Sequence, residues 1–264
     1  FNDGVFSHGV SNKNIKGKYQ SFYFVGSSHA GTLSGMIGNL NIKESSRLYS
    51  LYVGSTFFPT IQSDLFPKGY KKTLKKFNQK QNFIRNKIKK SVFSNDVVVI
   101  ANHIELFGTS ISPVSANHKA IVQQYFANLE KFTLEMQSLG VNVVLLGPMP
   151  YFTNLKKYMN NTLNCRMEWF RKRINKNCLQ SLQRIKFVDS NSIINDFSRN
   201  WQNSYENAYF FPVIDYFCPP NLTYCTNQVN KKFYMYDQDH LNYYGGKLLS
   251  THFIEFLKTN GLLK

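Results

Sequence analysis

Two stretches of the chain, more than two hundred residues apart, hold side chains that could share one reaction. Phe22–Ala30 reads Phe-Tyr-Phe-Val-Gly-Ser-Ser-His-Ala, and Asp237–His240 reads Asp-Gln-Asp-His. A lone serine hydroxyl is a poor nucleophile. It needs an imidazole to take its proton and a carboxylate to fix the imidazole tautomer and steady the cation that forms. Ser28, His240 and Asp237 are the residue types for those three roles. Asp237 and His240 are three residues apart, which on a tight turn or a first helical turn puts both side chains on one side of the backbone. Asp239, next to His240, is expected to point elsewhere, as a surface or helix-start residue. Gly-Ser-Ser alone is most often only a turn, and Asp-x-x-His alone is most often surface. Together they are more specific: a serine at one end of the chain, and a base with its acid at the other.

The serine needs an element to hold it. An apolar, β-favouring run ends at Gly26, and Ala30, Leu33, Ile37 and Leu40 then follow at helical spacing. That is a strand, a tight turn and a helix over about 29–41. Ligands collect at the carboxyl ends of strands in open α/β sheets, and helix-start N–H groups favour negative charge there. Further strands are expected at Arg47–Val53, Asp96–Ile100, Val141–Leu146 and Ile185–Val188. Helices are expected at Lys71–Val92, His118–Leu139, about 162–185, and Gly245–Phe256. Phe57–Tyr70 reads as loop and 196–235 as irregular. Strand–helix alternation predicts a three-layer α/β/α sandwich with a central parallel sheet. Residues 1–20 are polar and read as a linker or lead-in segment, leaving 21–264 as the domain.

The 264 residues suffice for one sizeable α/β domain. No apolar run is long enough to span a bilayer. No signal peptide is visible and the first residue is Phe, so the chain is expected to be a processed product or a piece of a longer one. Lys plus Arg is 32 against 15 Asp plus Glu, a net charge of +17. That attracts anionic partners. The abundance of Lys, Asn, Phe, Tyr and Ile together also fits AT-rich coding composition. No nucleic-acid-binding motif accompanies the charge, so no nucleic acid is expected. Lys71–Val92 interleaves a narrow apolar stripe with nine Lys and Arg residues. It is either a solvated helix face or an electrostatic site for an acidic glycan or lipid surface.

Cys218 and Cys225 enclose a turn-rich Pro-Pro-Asn-Leu-Thr-Tyr and are expected to bridge, which implies an oxidising compartment. Cys165 and Cys178 flank a helical-looking segment. A continuous helix would hold them roughly 20 Å apart, so their pairing stays open. Nothing in the spacing suggests a metal site, and no cofactor is expected.

The order of these blocks resembles the SGNH (GDSL-type) hydrolase superfamily, most of all the SGNH domains fused to membrane-embedded family-three acyltransferases. Their first block, Gly-Asp-Ser-His-Ala, is matched by Gly26-Ser27-Ser28-His29-Ala30. Their last block, built on Asp-x-x-His-Leu followed by glycine, is matched by Asp237, His240, Leu241, Gly245 and Gly246. An apolar strand running into Gly and Pro-x-Pro is matched at Val143–Pro150, and paired cysteines precede the last block in both. The resemblance covers about residues 20–260 and implies a flavodoxin-like SGNH fold.

It also implies that Ser28 is the nucleophile, His240 the base and Asp237 its orienting partner. Ser28, Gly54 and Asn102 would form the oxyanion hole, although the Gly-x-Asn-Asp wording around the last is absent and Asn102 also reads as a polar loop residue capping backbone. Ser27 replaces a family Asp that is not the triad acid. His29 and His103 have no assigned role and read as structural. The implied activity is O-acetylation of a cell-envelope glycan, possibly anionic, outside the cytoplasmic membrane. The acyl donor would come from a membrane-embedded acyltransferase domain that also tethers the chain, in a periplasmic or other extracytoplasmic setting. The alternatives are a secreted carbohydrate esterase and a catalytically silent glycan-binding module.

Overall fold

The computed structural model describes residues 4–8, 20–44, 47–52, 57–61, 68–103, 118–152 and 178–263. Its strands are β1 Gly4–His8, β2 Ser21–Gly26, β3 Arg47–Tyr52, β4 Val97–Ala101, β5 Asn142–Leu146, β6 Ser181–Gln183, β7 Ala208–Phe211, β8 Tyr224–Thr226, β9 Gln228–Val229 and β10 Lys232–Phe233. Its helices are α1 Ser28–Thr32, α2 Ser34–Glu44, α3 Lys68–Ser91, α4 His118–Gln137, α5 Arg184–Ser190, α6 Ser192–Ser204, α7 Ile214–Phe217 and α8 Tyr243–Thr259.

The main sheet runs β1-β3-β2-β4-β5-β7. The five strands from β3 to β7 are parallel, and β1 pairs antiparallel at the edge. Chain order and sheet order therefore reverse between β2 and β4. In a doubly wound sheet that crevice is the binding position.

Strand alternation builds the three layers. Phe22, Phe24, Val97, Val99, Val144 and Leu146 face one side, where Leu33, Ile37 and Leu40 meet Leu249, Phe253 and Leu257 of α8. Tyr23, Val25, Val98, Ile100, Val143 and Leu145 face the other, against Ile84 and Ile88 of α3, Tyr125, Leu129 and Phe132 of α4, and Trp201 of α6. Both faces are covered, so these strands read as continuous apolar runs. Asp96 pins two strand starts together: its Oδ1 accepts from Ser21 N (2.8 Å) and its Oδ2 from Phe93 N (2.9 Å).

Several expectations are corrected. Gly4–His8, read as part of a linker, is an edge strand paired with β3. Ile185–Val188, read as a strand, lies within α5, and the fifth parallel strand is Ala208–Phe211, inside the stretch read as irregular. Phe187 is the one buried residue of α5, where a sheet strand would be buried on both sides. The helix after Ser28 is two segments that break at Leu33. Of the helix expected over 162–185, residues 162–177 lie outside the described residues, and 181–183 is a strand against Tyr224–Thr226. Cys218 and Cys225 do bridge, with Cα atoms 5.2 Å apart. Cys178 is also disulfide-bonded; Cys165 lies outside the described residues.

Candidate active site

Ser28 stands where the crevice opens. β2 ends at Gly26, whose φ of +143° and close approach to the Ala101 carbonyl leave no room for a side chain. The chain then turns into α1. Ser27 is the N-cap: its Oγ accepts from His29 N (3.4 Å) and, across the crevice, from His103 N (3.0 Å). Asp and Ser are about equally good N-caps, which is a physical reason for Ser to stand where the family block has Asp. Ser28 is the first residue of the helix, so its N–H has no acceptor within the helix.

His240 arrives from the other end of the chain. It precedes α8, whose N-cap Asn242 accepts from Gly245 N at 2.9 Å. Its Nε2 is 2.8 Å from Ser28 Oγ. Its Nδ1 is 2.9 Å from both carboxylate oxygens of Asp237. Asp237 Oδ1 also accepts from the backbone N–H groups of Asp239 (3.1 Å) and His240 (2.9 Å), which locks the turn. The fold thus brings the serine, histidine and aspartate side chains within hydrogen-bonding distance in sequence.

Asp239 is not a surface residue. It is 3% exposed, with Oδ1 at 3.0 Å from His240 Nδ1 and Oδ2 at 2.8 Å from His103 Nε2. The Tyr236 N–H to His240 carbonyl bond (2.7 Å) closes a tight loop that turns the Asp239 side chain inward. His29, fully buried, approaches the Asp239 carbonyl with Nε2 at 3.0 Å, and its ring lies 4.6 Å from His103 and 4.7 Å from His240. Residue type offered little sign of this: an Asp beside the expected base read as a helix-start residue. The sequence signal was a second carboxylate next to His240.

The electrostatics follow from this crowding. Burial opposes ionisation of Asp239, but the bonds to His103 and His240 and the charge of His103 and His29 outweigh it. Its carboxyl is held well below the usual range. Burial likewise works against protonated His240, and again loses: bonds to Asp237 and Asp239, and their charge, push its pKa up to about 10. Both carboxylates therefore favour the protonated form of the ring.

Asn102, expected in an oxyanion hole, is 2% exposed and engaged elsewhere. Its Nδ2 donates to Phe58 O (2.7 Å) and Tyr125 Oη (2.8 Å), and its Oδ1 accepts from Phe58 N (3.1 Å). Both amide hydrogens are committed, so the side chain clamps the segment after β3. Gly54 lies outside the described residues. His29–His103–Asp239 and Asp237–Asp239–His240 are each compact enough to ligate a cation. In the second group the carboxylate oxygens already lie within hydrogen-bonding distance of His240 Nδ1, at 2.9–3.0 Å.

A doubly wound α/β sheet with this serine at its switch point defines a serine-dependent esterase or acyltransferase. The family model described as "SGNH domain (fused to AT3 domains)" matches residues 3–255, and the chain belongs to that family. Among solved structures, a catalytic mutant of Axe2, an acetylxylan esterase from Geobacillus stearothermophilus, is similar at 13% identity and a TM-score of 0.46, over 93% of this chain and 96% of that one. A second Axe2 mutant, titled an acetyl-xylooligosaccharide esterase, is similar at 13% identity and a TM-score of 0.47, over 92% and 94%. No curated protein matches the sequence. Among the described residues no helix is long and apolar enough to cross a membrane.

Proposed function

We propose that this domain moves an acetyl group, through an acyl-enzyme on Ser28, onto a hydroxyl of a cell-envelope polysaccharide. The supporting observation is the 2.8 Å approach of His240 Nε2 to Ser28 Oγ, with Asp237 on the opposite ring nitrogen. Ser28 Oγ attacks the carbonyl carbon of an acyl donor while His240 Nε2 takes its proton. The oxyanion sits against the Ser28 N–H at the start of α1, with the Gly54 N–H as second donor on the family resemblance. Each such donor is worth roughly 3 kcal/mol of barrier. Collapse expels the donor's oxygen, which leaves with the proton from His240. A sugar hydroxyl then enters and attacks the ester carbonyl while His240 takes its proton; the Oγ–acyl bond breaks, His240 returns the proton to Ser28 Oγ, and the acetyl group leaves on the sugar.

Asp237 orients the ring through Nδ1 and steadies the imidazolium, and Asp239 is a second carboxylate on the same nitrogen. A protonated ring must lose its proton before Ser28 can give one up, so the upward shift of His240 implies activity that rises with pH. The family description, which pairs this domain with acyltransferase domains, favours transfer over hydrolysis. It also supports a membrane-embedded partner as acyl donor, tethering the domain on the extracytoplasmic side, and the Cys218–Cys225 bridge fits an oxidising setting.

The test is intact-mass analysis after brief exposure to 4-nitrophenyl acetate. Wild type should carry one acetyl group on Ser28, and Ser28→Ala and His240→Ala should carry none. The adduct should outlive water and fall away when a polysaccharide acceptor is added. Rapid loss to water alone would make the domain an esterase. No adduct on folded protein would leave a glycan-binding module.

A further inference from the structure

His103 follows β4 and is held at two points. Its backbone N–H donates to Ser27 Oγ (3.0 Å), in the turn that carries the nucleophile. Its Nε2 comes within 2.8 Å of Asp239 Oδ2, in the loop that carries the base. The first bond does not involve the imidazole, so the main chain fixes where the ring starts. The ring then packs on His29, whose centroid is 4.6 Å from His103 and 4.7 Å from His240. His103 and His240 are themselves 6.5 Å apart, and each addresses a different oxygen of Asp239.

Asp239 is 3% exposed, and a buried carboxylate is costly unless donors meet its oxygens. The titratable groups that face it are His240 and Asp237 from its own loop, His103 after β4, and His29 from α1. Asp237 is an acceptor and brings no donor. His29 Nε2 addresses the Asp239 main-chain carbonyl at 3.0 Å. His240 Nδ1 divides itself between the two carboxylates, at 2.9 Å from both oxygens of Asp237 and 3.0 Å from Asp239 Oδ1. His103 Nε2 serves Asp239. Burial raises the Asp239 carboxyl, and the contact with His103 heads the causes that bring it down.

We propose that His103 is a positioning residue of the acyl-transfer site: it holds the Asp239 carboxylate aimed at His240 Nδ1, so that a second negative charge stays on the base that serves Ser28. This rests on the catalytic reading of Ser28 and His240. Without a donor on Oδ2 the buried carboxylate takes up a proton more readily. Its charge is then lost from His240, the imidazolium is favoured less, and the ring gives up its proton at lower pH.

The test titrates the His240 ring directly, by NMR of the whole chain isotope-labelled at histidine, from about pH 5 to about pH 11. The same proteins are scored for the rate of Ser28 acetylation by 4-nitrophenyl acetate. His103→Phe keeps a flat ring and removes the donor. His240 should titrate about one unit lower, and the rising limb of acetylation should move down with it. His103→Gln, whose amide nitrogen stands near the place of Nε2, should keep both within about 0.3 unit of wild type. Asp239→Asn should shift His240 in the same direction as His103→Phe. The two substitutions together should go no further than Asp239→Asn alone, because groups acting through one contact are not additive. If His103→Phe does not fold, His103→Asn, too short to reach Oδ2, takes its place. An unmoved His240 in the folded variant, or shifts that add in full in the double variant, would overturn the proposal. So would a lower acetylation rate with the limb in place, which is what a purely structural histidine gives. Wild type that is not acetylated at any pH would sink the catalytic reading, while the ring titration would still decide whether His103 acts through Asp239.

Discussion

Asp239 holds the same imidazole nitrogen as Asp237: its Oδ1 is 3.0 Å from His240 Nδ1, and its Oδ2 reaches on to His103 Nε2 at 2.8 Å. One N–H thus faces two carboxylates of different character. Asp237 also accepts two backbone N–H groups of its own turn and its side chain is 32% exposed. Asp239 is buried and tied to a second histidine.

The two carboxylates are expected to divide orientation and basicity between them. The free base is the active form and His240 is raised to about 10, so acylation should climb with pH up to that value and level off above it. Asp239→Asn removes one of the charges that raise His240. The rising limb should then move down in pH by about one unit or more, with the plateau within about tenfold of wild type. Asp237→Asn loses the turn and the tautomer, and its plateau should fall on the order of 10³-fold. The pre-steady-state rate of nitrophenol release from pH 5 to 11 measures both. If Asp239→Asn lowered the plateau as far and left the limb in place, Asp239 would be the orienting carboxylate.

A close helix crossing joins the two halves of the site. α2 follows Ser28 and α8 follows His240. At their crossing, a Cβ on Gly35 would run into the Tyr243 carbonyl, and a Cβ on Gly246 would come within 3.2 Å of Gly35 Cα. The helices meet backbone to backbone, which sets how near His240 comes to Ser28. Gly35→Ala must push α8 outward. It should cost about 1–3 kcal/mol of stability, as overpacking does, and should slow Ser28 acetylation about 100-fold, because a 1 Å displacement of a catalytic pair costs that much. Urea unfolding together with the acetylation rate tests this. Wild-type acetylation in a variant destabilised by that amount would show that the crossing does not set the distance.

What was legible in the sequence follows physical range. The run from Phe22 to Val25 ending at Gly26 showed strand and turn because apolar pattern and glycine act locally. Asp237 and His240 were readable together because three residues on a turn share a side. Ala208–Phe211 was hidden by the aromatic stretch around it, and its place depends on pairing with β5, more than sixty residues earlier. Gly4–His8 was hidden for a similar reason: its partner is β3, and nothing in a polar segment announces an edge. The inward turn of Asp239 was unreadable because it depends on His103 and His29, which the sheet brings from two other strand ends.

Asn102 has two possible roles, and its substitution decides between them. The residue stands after β4, where the resemblance implies an oxyanion donor, yet its side chain bonds Phe58 on both backbone atoms and the buried Tyr125 hydroxyl. Burial pushes the Tyr125 phenol well above its ordinary value, so that hydroxyl stays protonated and needs a partner. Asn102→Ala takes the acceptor from Phe58 N–H and one donor each from Phe58 O and Tyr125 Oη, which keep the 3.4 Å bond between them. Each lost bond costs on the order of 1 kcal/mol, so a destabilisation of about 2–3 kcal/mol is expected. Because both amide hydrogens are already spent, acetylation of Ser28 in the folded fraction should fall by less than about tenfold. An oxyanion donor would behave the other way, with stability nearly intact and acylation down by about 10²–10³-fold. Thermal unfolding and the acetylation rate, measured on one preparation of the variant, separate the clamp from the donor.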